Sequence, residues 1–265
     1  MRSKRRQDRY REEQRKGFPL RTALGILIFA IGFGVVVYPA VSNLWNRYRQ
    51  SQLTQSYDQA LGQAEEEDLT AMWEAAWEYN ANLAGNFIGD AFEGALAETE
   101  TSTAAETETS TAADGSDPAA DGEGSEISAQ DDVLYQSLLN VAGDGVMGYL
   151  SIPEINVSLP IYHGTGSEEL QKGIGHLYGT SLPVGGASTH TVLAGHRGLP
   201  GAALLTDLDY LETGDFFFLY ILDEVLAYEV ISVEIVEPTQ TDSLAVQEGE
   251  DLATIVTCTP YGVNT

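Results

Sequence analysis

The sequence predicts a mainly β fold, a closed or nearly closed β-barrel with short helices, preceded by a transmembrane helix and a helical segment. Three observations indicate this organisation. Residues 22–46 form a stretch of 25 residues without charge, and a membrane-spanning helix needs about 20. Residues 51–84 carry apolar side chains at helical spacing. From Val133 onward, short β-branched or aromatic runs alternate with turn residues, which favours a barrel over βαβ units.

Charge is distributed very unevenly along the chain. The formal net charge is −27, yet 11 of the 13 basic residues lie within residues 1–49, which carry +8. The remainder therefore carries −35, with Lys172 and Arg197 as its only basic residues. Such a chain offers no extended basic surface, so the composition excludes nucleic acid as a main partner. A single cysteine also excludes a disulfide framework and a cysteine-based zinc cluster.

The uncharged stretch, residues 22–46, is interpreted as a single-pass anchor in the cell membrane, with the lipid bilayer as a partner. Residues 1–21 form a basic tail, which the positive-inside rule places in the cytoplasm, so the rest of the chain is expected on the extracellular face. A cleaved signal peptide is the alternative. Its apolar core would span only about 7 to 15 residues, and the cleavage-like triplet Ala40-Val41-Ser42 is weak.

The segment that follows the anchor divides into two parts. Residues 47–92 are predicted to be an extracytoplasmic helical segment that ends in a lid, and its residues 51–84 predict two helices that pack together or on a partner surface. Residues 93–132 contain 12 acidic residues and repeat ETETSTAA from 98–105 at 106–113. This composition buries too little apolar surface to offset its ordering entropy, so it predicts disorder. The insertion is either a tether or, as we favour, a loop expanded by repeat duplication.

Residues 133–265 are predicted to form the barrel as one compact domain. Helical patches are expected at residues 168–172 and 202–211. The expected strands are VMGYLSI, VSLPIYH, THTVLAG, DFFFLYIL, VLAYEVISVEIVE and LATIVT.

Cys258 lies where a predicted strand ends, between the apolar run 252–256 and the turn sequence Thr-Pro-Tyr-Gly at 259–262. Side chains at such a position can reach a cleft. By itself the residue fits a small buried apolar side chain as well as it fits a nucleophile. An unpaired extracytoplasmic cysteine is nevertheless a candidate reactive thiol.

A thiol nucleophile needs a partner that stabilises the thiolate and later donates a proton, usually histidine. Of the four histidines, His196 follows the predicted strand THTVLAG and lies among glycines and Arg197. His163 and His176 are interpreted as structural. The order histidine then cysteine, 62 residues apart, disfavours a papain-like enzyme, which places the cysteine first. A caspase-like order would fit, but the QAC motif is missing and the domain is rich in strands.

The run TIVTCTPYGVNT at 254–265 resembles the active-site strand of sortases, the cysteine transpeptidases of the Gram-positive cell surface, whose pattern is T-L-x-T-C. Ile255 replaces the usual leucine. The resemblance is closest to class C, the pilin-polymerising sortases, and covers nearly the whole chain outside residues 93–132. Its further segments are YPAVSNLWN at 38–46, DGVMGYLSIP at 144–153, SLPVGG at 181–186 and VLAGHRGLPGA at 192–202.

This resemblance implies roles for individual residues. Cys258 would attack the Thr–Gly bond of an LPXTG-like sorting signal, and His196 would act as general acid and base. The family's arginine is expected two positions beyond Thr265, so the barrel domain is expected to be C-terminally incomplete: either the natural protein continues, or it lacks this group. Asp90 and Phe92 would form a lid over the cysteine, with Ala91 where proline is usual. The alternative for these lid residues is the end of a helix running into a linker.

The resemblance thus implies a membrane-anchored enzyme of pilus assembly that needs no metal or organic cofactor. It would form a thioacyl intermediate with the sorting signal and transfer the acyl group to a lysine amine of a pilin subunit. Two alternatives remain. One is a wall-anchoring sortase that uses a peptidoglycan-precursor amine, and the other is a catalytically inactive, membrane-anchored binding module.

Overall fold

The structure is a computed structural model that describes residues 20–83, 128–199, 202–237 and 240–258. Its described helices are α1 (Leu20–Leu61), α2 (Glu66–Leu83), α3 (Val133–Ser137) and α4 (Ser167–Lys172). Its described strands are β1 (Val146–Ile152), β2 (Val157–His163), β3 (Ile174–His176), β4 (Thr189–Ala194), β5 (Phe216–Ile221), β6 (Glu224–Glu229) and β7 (Asp251–Val256).

The apolar helix predicted over residues 22–46 is present and is longer than expected. Helix α1 has 42 residues and continues through Pro39, which gives it a length of about 63 Å. Within Leu24–Leu61 an 18-residue stretch has a mean hydropathy of 2.4, and the helix is long and apolar enough there to cross a membrane. The helix predicted separately after residue 50 is the continuation of α1. The chain has neither glycine nor proline between residue 46 and Gly62, so nothing in that stretch breaks the helix.

Both long helices are attached to the barrel by buried polar groups. The hydroxyl of Tyr57, at the end of α1, donates to the Met147 carbonyl at 2.9 Å and accepts from the Leu222 amide at 2.7 Å. On α2, Asn80 accepts from the amide of Leu182 at 2.7 Å and donates to the carbonyl of the same residue at 3.2 Å. These contacts hold the two predicted helices on the barrel.

The described strands form one sheet in the order β6-β5-β1-β2-β3-β4-β7. All neighbours are antiparallel except the pairs β2–β3 and β4–β7. Helix α4 makes the crossover that the first parallel pair requires. Side chains such as Met147, Leu150, Ile161, Leu193 and Leu219 are fully buried inside the sheet and form the main core.

The two edge strands approach each other and nearly close the barrel. The hydroxyl of Tyr228 on β6 donates to Asp251 Oδ1 on β7 at 2.8 Å. The other oxygen of that carboxylate accepts from the amide of Gly186 at 2.7 Å. The predicted mainly β barrel with short helices is therefore confirmed, with its closure made by side chains between β6 and β7.

Several local expectations differ from the structure. Strand β3 was not expected, because three residues are too few to show an alternating pattern. The strand expected over residues 225–237 ends at Glu229, and the patch at 202–211 contains turns and one 3₁₀ turn instead of a helix. Of the acidic segment 93–132, the structure describes only the last five residues.

Those five residues belong to the ordered structure. They form a turn in which Ser128 bonds Asp131, and Asp132 accepts from the amide of Tyr135 at 3.0 Å as the N-cap of α3. The rest of the acidic segment lies outside the described residues. Residues 128–132, which were predicted to be disordered, are thus a turn and the N-cap of α3.

Candidate active site

The parallel pair β4–β7 brings the two predicted site residues together. Its register joins Thr189 to Asp251 and runs unchanged to Ala194 and Val256, a constant offset of 62 positions. The pairing continues beyond the strands, because the amide of Gly195 donates to the carbonyl of Val256 at 3.0 Å. His196 and Cys258 have the same offset and leave neighbouring strands that lie about 4.8 Å apart.

Two further contacts fix the main chain around this pair. The hydroxyl of Thr257 donates to the carbonyl of Gly195 at 2.9 Å, and the amide of Leu205 donates to the carbonyl of His196 at 3.2 Å. A Cβ at position 195 would lie 2.7 Å from Leu205 Cδ1. A glycine is therefore needed there for the Leu205 side chain to pack against the strand end.

The environment of the pair favours its uncharged form. Cys258 is a free, half-buried cysteine, and burial raises the pKa of its thiol. His196 is also half-buried, and loss of solvent lowers the pKa of its imidazole. At neutral pH the resting pair is therefore mainly thiol and neutral imidazole.

Arg197, the residue next to His196, forms a hydrogen bond and an ion pair with the loop that follows it. Its Nε donates to the carbonyl of Thr206 at 3.2 Å, and its guanidinium forms an ion pair with Asp209 at 2.6 Å. Its side chain is only 12% exposed. These contacts connect the strand end to the following loop and hold that loop beside His196.

The other three histidines belong to buried hydrogen-bond networks. His176 Nε2 donates to the carbonyl of Ser181 at 2.9 Å, so its Nδ1 accepts from the hydroxyl of Tyr135 at 2.8 Å. Both ring nitrogens of His163 lie within 3.1 Å of main-chain carbonyl oxygens. The structural roles predicted for these two are confirmed.

His190 joins β4 to β7 on the face of the sheet that carries Val192 and Val256, opposite the main core. Its Nδ1 donates to the carbonyl of Ala245 at 3.0 Å, and its Nε2 accepts from the hydroxyl of Thr254 at 2.7 Å. Among the described residues, the ring of His196 has no comparable hydrogen bond. That ring is therefore the histidine available for chemistry beside Cys258.

Some predicted features lie outside the described residues. The lid candidates Asp90 and Phe92, and residues 259–265 after the cysteine, belong to this group.

Within the described ranges there is no group of three or more histidine, cysteine, aspartate or glutamate side chains that could hold a metal ion. Thr257 and Leu205, whose contacts position the strand ends, were not predicted from the sequence. The separation of 62 residues between His196 and Cys258 could be read from the sequence. That β4 and β7 pair in parallel with the same offset, and so bring the two residues together, could not.

Comparisons with known proteins place this site in a family. The model of the sortase domain matches residues 150–265. The crystal structure of sortase C1 from Streptococcus agalactiae is 36% identical, with a TM-score of 0.63 over 81% of this chain and 93% of that chain. The chain belongs to the sortase family.

Another solved sortase and a curated relative agree with this assignment. A sortase C from Streptococcus pneumoniae, reported with insights into catalysis and pilin substrate specificity, is 33% identical over 80% of this sortase and 90% of that chain, with a TM-score of 0.57. Sortase D of Bacillus subtilis is 32% identical over 114 residues. The chain spans about half the length of that curated relative, 54%. The predicted resemblance to class C sortases is confirmed by the solved neighbours.

Proposed function

We propose that this sortase is a membrane-anchored cysteine transpeptidase that cleaves an LPXTG-like sorting signal and joins it to a lysine amine of a pilin subunit. The observation that carries the proposal is the parallel register of β4 and β7, which sets His196 beside Cys258. Similarity to sortase C of Streptococcus pneumoniae, whose report concerns pilin substrates, supports the choice of substrate.

The reaction then proceeds in two transfers. The Cys258 thiolate adds to the carbonyl carbon of the scissile peptide bond, and the tetrahedral intermediate collapses as the C–N bond breaks. Imidazolium His196 gives its proton to the leaving amine. The lysine amine next attacks the thioester, the amine proton passes to His196, and the new amide forms as the Cys258 sulfur leaves. The pair returns to its starting charge after each cycle.

The opposing pKa shifts set how much of the enzyme is reactive at rest. The productive pair carries a thiolate and an imidazolium, whereas burial raises the pKa of Cys258 and lowers that of His196. Only a minor fraction of the free enzyme therefore holds both charges at neutral pH. A substrate that closes over the site would strengthen the attraction between the two charges, because it excludes water.

The proposed location rests on α1. The helix is apolar between Leu24 and Trp45, and the large apolar side chains of this part are exposed to the surroundings instead of being buried in the barrel. With the basic tail in the cytoplasm, the barrel lies on the extracellular face. A membrane-impermeant maleimide should label Ala187→Cys in intact cells, in a Cys258→Ala background. Labelling that requires permeabilised cells would indicate the opposite orientation, with the barrel on the cytoplasmic side.

The activity is tested with a chain completed past Thr265, in lipid vesicles, with a sorting-signal peptide and a pilin-derived peptide that bears the acceptor lysine. The parent should form the joined product. Cys258→Ala and Cys258→Ser should form none, although their thermal unfolding should match that of the parent, because one sulfur at a strand end contributes little packing. Product from Cys258→Ala would refute the proposal. Joining only to a peptidoglycan-precursor amine would indicate a wall-anchoring enzyme, and inactivity of the parent would indicate a binding module.

A further inference from the structure

Helix α1 connects the membrane span to the barrel without an intervening linker. From residue 46 to Tyr57 it advances 11 residues, or about 16 Å. Over this distance Gln50 Nε2 donates to the carbonyl of Lys172 at 3.4 Å, and the Tyr57 hydroxyl bonds to the barrel at two points. The barrel is therefore held close to the span and in one orientation relative to it.

The register of the sheet identifies which end of the barrel lies nearer the membrane span. Strand β3 pairs with β4 in antiparallel fashion, with Gly175 opposite Ala194. Continued by two residues, this pairing sets Gly173 beside His196, and the ideal Cβ of Gly195 lies 3.6 Å from Ile174 Cγ1, as that register requires. Lys172, which contacts Gln50, is thus at the same end of the barrel as His196.

Tyr57, about two turns beyond Gln50, bonds to Met147 at the start of β1 and to Leu222 just after β5. Strand β1 runs in the same direction as β4, because β1 is antiparallel to β2, β2 is parallel to β3 and β3 is antiparallel to β4. Lys172 precedes Gly173, which the register continues to Pro160 and Tyr149, two residues farther along β1 than Met147. From Gln50 to Tyr57, helix α1 therefore runs opposite to β1 and β4, and the membrane lies toward the ends of these strands, which His196 and Cys258 follow.

The distribution of charge agrees with this orientation. The chain after residue 49 has a net charge of −35, and anionic headgroups repel such a domain over about a Debye length. Its only two basic residues, Lys172 and Arg197, both lie at the His196 end. Each is paired with a carboxylate, Glu168 and Asp209 respectively, so this end includes the local charge compensation that the rest of the domain lacks.

We propose that α1 acts as a rigid stalk that turns the His196 and Cys258 end of the barrel toward the lipid headgroups of its own membrane. This inference rests on the membrane anchor proposed above. The site then lies in the layer next to the bilayer, where a polypeptide substrate anchored in the same membrane reaches it without leaving that layer. The partner of this face is the headgroup surface itself.

The test measures energy transfer from a dye on the barrel to an acceptor dye on lipid headgroups. Full-length protein in a Cys258→Ala background carries one label, either at Asp207→Cys beside His196 or at Ala187→Cys before the start of β4. Both positions are exposed. Strand β4 and its extension from Thr189 to His196 cover about 23 Å, so the two labels report opposite ends of the barrel. The vesicles are phosphatidylcholine and phosphatidylglycerol.

Transfer from Asp207→Cys should exceed transfer from Ala187→Cys by about twofold or more, given that separation of the labels. A matched variant with a seven-residue Gly-Ser linker between Arg49 and Gln50 should lose most of the difference, because the stalk is then broken. Equal transfer in the parent background, or stronger transfer from Ala187→Cys, would overturn the inference. Failure of the protein to float with the vesicles would instead refute the anchor, and the inference with it, whereas the joining assay tests the chemistry separately.

Discussion

The hydroxyl of Thr257 donates a hydrogen bond of 2.9 Å to the carbonyl of Gly195. These are the residues immediately before Cys258 and His196, so the bond connects the two strand ends at the point where the candidate catalytic pair begins. It adds a side-chain link to the main-chain bond from Gly195 to Val256. The relative position of thiol and imidazole therefore depends on a threonine that takes no part in the chemistry.

Replacing that hydroxyl should impair turnover more than folding. We expect Thr257→Val to lower kcat about tenfold, because reacting groups displaced by a fraction of an ångström lose much of their rate, with KM little changed. The loss of stability should be about 1 kcal/mol. Thr257→Ser, which keeps the donor, should restore most of the rate. Equal rates for valine and serine would show that the bond does not position the pair.

The raised pKa of the Cys258 thiol should be visible in its reactivity. Alkylation by iodoacetamide requires the thiolate, and burial shifts the formation of that thiolate to higher pH. The rate should therefore keep rising above about pH 8.5, the ordinary value for cysteine. Measured rates from pH 6 to 10 check this expectation. A plateau below pH 7 would indicate a thiolate stabilised at rest and would contradict the neutral resting pair.

The proposed lid can be tested by the same labelling at one pH. If Asp90 and Phe92 cover the cysteine, Asp90→Ala and Phe92→Ala should both be alkylated faster than the parent. The increase should be modest, because Ala91 lacks the fixed φ of the usual proline and leaves the parent lid less rigid. Unchanged labelling in two folded variants would mean that these residues do not control access.

Buried histidines should make the fold sensitive to mild acid. Burial lowers the pKa of His176 from 6.5 to about 4, so below pH 6.5 the unfolded chain takes up a proton that the folded chain does not. The contribution of neutral His176 to the free energy of unfolding is complete above pH 6.5 and is lost as the pH falls toward 4. At pH 5 the free energy of unfolding should be about 2 kcal/mol lower than at neutral pH because of this residue.

Thermal unfolding of the detergent-solubilised protein between pH 7 and pH 5 measures this loss. His163 and His190, whose pKa values are also lowered by burial, act in the same direction. A His176→Asn variant should show a smaller decrease over that interval, although it is less stable throughout. An identical pH dependence in variant and parent would exclude His176 as the source.

Asn80 should be essential for holding α2 on the barrel. It satisfies both main-chain groups of Leu182 inside the protein, and Asn80→Leu would leave a buried amide and carbonyl without partners. We expect a loss of about 2 to 4 kcal/mol in the free energy of unfolding. Glu78→Leu, at an exposed position of the same helix, should change it by less than about 0.5 kcal/mol. Denaturant titration distinguishes the two.

The local pattern of apolar and polar residues predicted those helices and strands that are long and regular enough to show a clear period. The runs read as β1 and β2 agree with the observed strands at every residue, Val146–Ile152 and Val157–His163. The continuity of α1 was missed because Arg47 and Arg49 end the apolar stretch, although charge does not end a helix. Residues 230–237 have the alternation of a strand, but strand formation requires a partner, which is a property of the whole fold.

The candidate site was predictable in its residues and less so in its geometry. Cys258 and His196 could be named from sequence, because their neighbours match a known pattern. The contacts of Tyr57 with Leu222 and of Asn80 with Leu182 join residues 165 and 102 positions apart. Contacts between residues so far apart in sequence arise only when the barrel assembles, and the residues next to them in the chain do not predict them.

The mass of the enzyme during turnover shows whether Cys258 forms a covalent intermediate. The full-length protein is mixed with a sorting-signal peptide without an acceptor amine, quenched in acid and digested. We expect the peptide containing Cys258 to gain the mass of the acyl fragment. Added hydroxylamine should remove this mass, and a lysine acceptor should convert the acyl group to joined product. Joined product formed while Cys258 never carries the acyl group would contradict the central claim that this thiol forms the covalent intermediate.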